Sequence, residues 1–162
     1  WPDLLTVQQN DPSTLNRIMD LTRWNRHRPH DSQAWNLLSD GTQTQVTEDF
    51  KLYEYQCNDG TPILLIHPAL SEMLQSLRDH FGVPVELNSA FRTYAYNDTI
   101  EGSAEQSRHL WGMAADPVVQ GVPPREVTNW AEAHDVGGIG YYHDFTHLDV
   151  QGRNRRWGPR WE

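Results

Sequence analysis

The stretch Ser107-Arg108-His109-Leu110-Trp111-Gly112-Met113-Ala114-Ala115-Asp116 sets an imidazole seven positions ahead of a carboxylate, with a glycine and two small residues between them. On a straight strand an odd separation sends the two side chains to opposite faces. On a helix seven residues span about 10.5 Å, too far for both to reach one ion. If His109 and Asp116 act together, the chain must bend between them. Gly112 permits that bend, and Ala114 and Ala115 allow close backbone packing while Asp116 points back toward His109.

The segments on either side supply a frame for this bend. Downstream, residues 124–135 carry Val127, Trp130, Ala131 and His134 at helical spacing before Gly137-Gly138. Ile139-Gly140-Tyr141-Tyr142 and Thr146-His147-Leu148-Asp149-Val150 then read as an antiparallel pair with a tight connection around His143-Asp144. Upstream, residues 85–91 alternate like a half-buried strand. Pro68 opens a helix in which Leu70, Leu74, Leu77 and Phe81 share one face, and Gly82 ends it. The apolar run Ile63-Leu64-Leu65-Ile66 follows an Asn58-Asp59-Gly60 turn.

Residues 1–46 are polar. A short helix is expected where Asp11-Pro12-Ser13 precedes Leu15, Ile18, Met19 and Thr22, then irregular structure up to the Asp40-Gly41 turn. The organisation read from these textures is a partly helical N-terminal extension over 1–46 and one domain over 47–162. The fold class is α+β, a small antiparallel sheet carrying the site with helices packed on it.

A chain of 162 residues is long enough for one hydrophobic core, and seven Trp, six Tyr and four Phe supply the large side chains to fill it. A formal net charge of −9 argues against nucleic acid and anionic membrane as partners. The single cysteine, Cys57, excludes an internal disulfide and a cysteine-based zinc site, so any metal must use His and carboxylate ligands. No apolar run approaches the length of a transmembrane segment. The chain opens on Trp1 rather than Met, as expected of a mature or trimmed form, which is compatible with a removed export signal. A monomer is expected.

A second cluster, His143-Asp144-Phe145-Thr146-His147-Leu148-Asp149, adds candidate ligands and bases. Two His and one carboxylate leave one position open on tetrahedral zinc, where a water acquires a pKa of about 7 and becomes a nucleophile. His143 to His147 also mimics the helical His-Glu-x-x-His zinc motif, with Asp in place of Glu. The flanking glycines, tyrosines and Val150 favour strands and turns instead.

Taken together, these residues resemble the zinc peptidases of the D-Ala-D-Ala carboxypeptidase family, peptidase family M15, in its M15_3-like branch. The family signature Ser-x-His-x-x-Gly-x-Ala-x-Asp is matched by Ser107, His109, Gly112, Ala114 and Asp116, with His147 as the later His. A Ser-x-x-Arg element is matched by Ser89 to Arg92 and an Ala-Tyr-Asn element by Ala95-Tyr96-Asn97. Gly138-Ile139-Gly140-Tyr141 and His147-Leu148-Asp149-Val150 follow in order. The likeness covers residues 47–162.

The resemblance implies Zn2+ on His109, Asp116 and His147, with Arg92 as a substrate contact that also steadies transition-state charge and Ser107 orienting substrate or backbone. It places the general base at Asp144, three positions before the last His. His143 is a competing base, and Asp149 is either a third candidate or a hydrogen-bond acceptor for a ligand imidazole. Arg153, Arg155, Arg156 and Trp157 read as a substrate rim or a packed terminus.

The implied activity is hydrolysis of an amide bond in peptidoglycan stem peptides, by a D,D-carboxypeptidase or an L,D- or D,D-endopeptidase. The setting is the cell envelope, the periplasm or the exterior, and phage or effector origin is compatible with it. The alternative is a noncatalytic, zinc-stabilised wall-binding or structural module of a phage or secreted complex. A signalling domain of the hedgehog type shares the same site but fits the elements around Asn97 and Gly140 less well.

Overall fold

The computed structural model describes residues 31–104, 106–150 and 154–158. The helix expected within residues 11–22 lies outside them, as does Arg153. The described chain is an α+β structure with small, mostly antiparallel sheets and four helices, as the sequence pattern implies.

Strand β1 (Gln33–Asn36) leads into a single helical turn, α1 (Leu37–Asp40), and pairs antiparallel with β2 (Ile63–Ile66). All four β2 residues are buried, which explains why that segment is apolar throughout rather than alternating. Helix α2 (Pro68–Phe81) follows at once. Pro68 occupies a first-turn position that needs no N–H, and the His67 Nδ1 accepts the Ala69 N–H at 3.1 Å. Gly82, at φ +67°, closes the helix in the left-handed conformation. Leu70, Leu74 and Leu77 are fully buried on its inner face, each worth roughly 1.5–3 kcal/mol of burial. They pack into one core with Phe50, Leu52, Tyr55, Ile139 and Leu148.

Strand β3 (Val85–Leu87) pairs antiparallel with β5 (Pro117–Val119) and is shorter than the expected strand over 85–91. Its continuation still exchanges backbone bonds with Asp116, through the Asn88 N–H at 3.0 Å and the Ser89 carbonyl at 2.8 Å. Beyond that the polar groups turn to His109. The Ala90 carbonyl lies against its ring and the Arg92 N–H donates to its carbonyl at 3.0 Å. Residues 90–92 thus leave the ladder, and Ala90 and Arg92 serve the site. Helix α3 (Tyr94–Thr99) begins where the Thr93 hydroxyl accepts the Tyr96 N–H.

The remaining strands form a four-stranded sheet in the order β4-β7-β6-β8. These are β4 (Ala114–Ala115), β6 (Gly138–Tyr141), β7 (Thr146–Asp149) and β8 (Arg155–Trp157); all pairs are antiparallel except β6 with β8. Helix α4 (Pro124–Ala133) precedes β6 and buries Val127, Trp130 and Ala131. It stops two residues before the expected end, because Asp135 adopts φ +55° and turns the chain. The turn-and-strand reading of residues 143–147 holds: His143 and Asp144 lie on the bend between β6 and β7, and His147 is within β7.

Candidate metal centre

The bend required by the His109–Asp116 spacing is built in two parts. Residues Arg108–Trp111 form a 3-10 turn, capped by the Ser107 hydroxyl, which accepts the His109 N–H at 3.3 Å. Gly112 then reverses the chain at φ +68°. A Cβ at this position would lie 2.3 Å from the Leu65 carbonyl oxygen, so conformation and close approach both demand glycine. The Gly112 carbonyl in turn accepts the His67 N–H at 2.8 Å, fixing the bend to the start of α2.

The reversal carries Asp116 back onto His109, and β7 brings His147 to the same place. His109 Nε2 lies 3.2 Å from Asp116 Oδ1 and 3.2 Å from His147 Nδ1, and His147 Nδ1 is 3.1 Å from Asp116 Oδ1. All three side chains are buried. Among the described residues they form the one group of three or more His, Cys, Asp or Glu side chains able to hold a metal ion.

The outward-facing atoms decide what the inward-facing ones are. His109 Nδ1 lies 2.6 Å from the Ala90 carbonyl oxygen, which can only accept, so that nitrogen carries the proton. His147 Nε2 lies 3.1 Å from Asp149 Oδ2 and likewise donates outward. In neutral rings the inward nitrogens are therefore bare lone pairs, and the third inward atom is a carboxylate oxygen. Three acceptors within 3.2 Å of one another repel unless a cation lies among them. This is the arrangement in which a metal ligand donates its other ring nitrogen to a supporting acceptor.

The electrostatics follow the same geometry. Burial alone would raise the Asp116 carboxyl, but protons on the inward nitrogens of His109 and His147, which take the place a metal cation would fill, hold it well below the usual carboxylate range through their charge and hydrogen bonds. Burial lowers the pKa of His109 against the opposing pull of Asp116. Burial also disfavours a charged His147, yet the hydrogen bonds and charges of Asp116 and Asp149 prevail and raise it.

Arg92 is tied to the centre at two points. Its Nε donates to the Ser89 hydroxyl at 3.0 Å and a terminal nitrogen donates to Asp116 Oδ2 at 3.2 Å. One Asp116 oxygen therefore faces the guanidinium and the other faces the two imidazoles. The three candidate ligands and Arg92 line a cleft of about 450 Å³, together with Ser107 and the aromatic side chains of Tyr142, Phe145 and Trp157. His143 and Asp144 are exposed on the β6–β7 turn and are not among the lining residues, although Tyr142 and Phe145 on either side of them are. Asp149 is fully buried behind His147.

The profile of the family described as Peptidase M15 matches residues 42–149. The chain belongs to the peptidase M15 family. Within it, this M15 chain is similar to the peptidoglycan L,D-endopeptidase MepK of Escherichia coli K12, at 31% identity over 112 residues, 64% of this chain and 59% of the relative. The MepK protein of Shigella flexneri matches to the same extent. The M15 chain thus spans about 59% of the length of the curated relatives it matches.

Several contributors to the site have little or no signature in the sequence. Ser89 stands as the first residue of the Ser-x-x-Arg element, and its spacing from Arg92 is the available signal for its contact. The Ala90 carbonyl leaves no side-chain trace. Arg155 and Trp157 read in the sequence as a substrate rim or a packed terminus; the structure places both in the cleft lining, whereas Arg156 pairs with Glu132 through two nitrogens at 2.8 and 3.1 Å.

Proposed function

We propose that the chain is a zinc-dependent peptidase that hydrolyses an amide bond in peptidoglycan stem peptides, with zinc held by His109, Asp116 and His147. The observation that carries this reading is the set of three inward acceptors, two of them imidazoles whose outward nitrogens are already committed. Ligands bonded at about 2.0–2.1 Å to tetrahedral zinc lie roughly 3.3–3.4 Å apart. The observed separations of 3.1 to 3.2 Å are close to that spacing. Membership of the M15 family and the likeness to peptidoglycan endopeptidases support the substrate class. They also support action in the cell envelope, the periplasm or outside the cell.

When bound, zinc supplies Lewis acidity, which polarises a carbonyl and brings the pKa of a water to about 7. The protein's own groups do the rest. Asp144, three positions before His147 and next to the cleft-lining Phe145, takes the proton from the attacking water and returns it to the departing amine. Asp149 suits that role less, because its buried carboxylate is already accepting from His147 and Arg155. Arg92, held by Ser89 and Asp116, offers guanidinium N–H groups to the oxygen on which negative charge develops. The Ser107 hydroxyl, which caps the His109 turn, keeps that ligand's backbone in place at the edge of the cleft.

The test is digestion of purified peptidoglycan with products read by mass spectrometry. Cleavage should stop with a chelator and return with added zinc. It should also be lost in Asp144→Ala while zinc content stays at that of the parent chain. Stoichiometric zinc without any released fragment would instead mark a noncatalytic wall-binding module. The masses of the fragments identify the bond cut.

A further inference from the structure

The family match ends at Asp149, yet two of the three side chains of β8 reach the candidate centre. Arg155 donates to Asp149 Oδ2 at 2.9 Å, and this is the oxygen that lies 3.1 Å from His147 Nε2. Asp149 has no solvent exposure, so its ionised form depends on compensating partners inside the protein. Arg155 supplies a full positive charge that a neutral imidazole cannot. Because both contacts converge on one oxygen, they also define the direction in which the carboxylate faces.

Arg155 is itself held in place. Its guanidinium lies 5.3 Å from the centroid of the Trp157 ring, and its backbone N–H donates to the Gly137 carbonyl at 2.9 Å. Trp157 lies 4.8 Å from the His147 ring and donates its Nε1 to the Tyr142 hydroxyl at 3.1 Å. Glycines on β6 leave room for both. A Cβ at Gly140 would come within 2.8 Å of the Trp157 indole, and one at Gly138 within 2.0 Å of Asp149 Oδ2.

We propose that Arg155 is a positioning residue: by fixing the Asp149 carboxylate it holds the His147 ring, through Nε2, with Nδ1 turned toward His109 and Asp116. This rests on the reading of His109, Asp116 and His147 as metal ligands. Arg155 acts on the metal only through two intervening side chains, so its removal weakens binding without abolishing it.

The experiment measures zinc affinity of the full metal-free chain by competition with a chromophoric chelator, with a thermal melt of each variant alongside. Arg155→Gln should bind zinc about 10-fold more weakly, at the lower end of the effect of outer-shell substitutions. Arg155→Lys, which keeps the charge, should recover most of that loss. Arg156→Gln, on the same strand as Arg155, breaks the pair with Glu132 of α4 and should leave affinity unchanged. His147→Ala should lose about 100-fold or more. Wild-type affinity in Arg155→Gln, with His147→Ala impaired, overturns the positioning role alone. Equal losses in Arg155→Gln and Arg156→Gln also overturn it, because Arg155 would then merely seat the strand. Wild-type affinity in His147→Ala overturns the ligand assignment itself. Where Arg155→Gln does not melt cooperatively, Arg155→Met against Arg155→Lys carries the comparison: an Arg155→Met chain about 10-fold weaker than Arg155→Lys, with Arg156→Gln at the parent affinity, supports the proposal, and an Arg155→Lys chain no better than Arg155→Met overturns it.

Discussion

Gly138 and Asp149 face each other across the β6–β7 ladder so closely that a Cβ on Gly138 would lie 2.0 Å from Asp149 Oδ2. The φ of Gly138 lies outside the left-handed region, so glycine is needed there for volume alone. Gly138→Ala is expected to push the carboxylate off His147 and weaken zinc binding by about 10-fold or more. Affinity and melting temperature measured on one preparation check this, and unchanged affinity would show that Asp149 has room to move.

At Gly112 conformation and volume act together. A non-glycine residue in the left-handed region costs about 1–2 kcal/mol. At φ +68° the 2.3 Å approach of the new Cβ to the Leu65 carbonyl adds a clash with backbone. Gly112→Ala should therefore lower stability by more than about 2 kcal/mol, read as a reduced urea midpoint in the metal-free protein.

Arg92→Lys retains charge but cannot donate to Ser89 and Asp116 from two separately placed nitrogens, as the guanidinium does. If Arg92 steadies the developing oxyanion, kcat should fall by about 10²–10³ with zinc content unchanged. A rise in KM with kcat unchanged would assign Arg92 to ground-state binding instead.

Asp59 provides a pH signature away from the centre. Burial would raise its carboxyl, but hydrogen bonds from Thr61, Cys57 and Thr93 outweigh that and lower it. A lowered folded-state pKa means the unfolded chain binds the proton more readily. The stabilisation is therefore complete above the unfolded value of about 3.9 and is lost as pH falls through the lower folded value. Asp59→Asn should be less stable than the parent at neutral pH, with the gap closing below about pH 4. Urea midpoints across that range measure it, and a gap independent of pH would exclude the ionised carboxylate as its source.

Sequence reading succeeds where a structural demand leaves a spacing behind. Pro68, the leucines of α2 and Gly82 mark a helix through local chemistry, and the structure has those bounds. The interval from His109 to Asp116 demands a turn, and Gly112 makes it. The strand expected over 85–91 is too long because alternation records which faces are buried, whereas the backbone groups of Ala90 and Arg92 find their partners around His109. No pattern within residues 88–92 announces a partner so far along the chain. The contact of Arg155 with Asp149 is hidden for a similar reason: an arginine near a chain end looks the same whether it faces water or a buried carboxylate.

The pairing of β8 with β6, and of β1 with β2, bears on how the protein should be cut for expression. A fragment trimmed to the family match at 42–149 would retain His109, Asp116 and His147. It would leave β2 and β6 with bare edges, open to pairing with other chains. It would also strip the indole from the face of His147 and the guanidinium from Asp149. A failed assay on such a fragment would report the loss of the cleft's last wall rather than the capacity of the whole chain, so cloning limits belong outside residues 33 and 158.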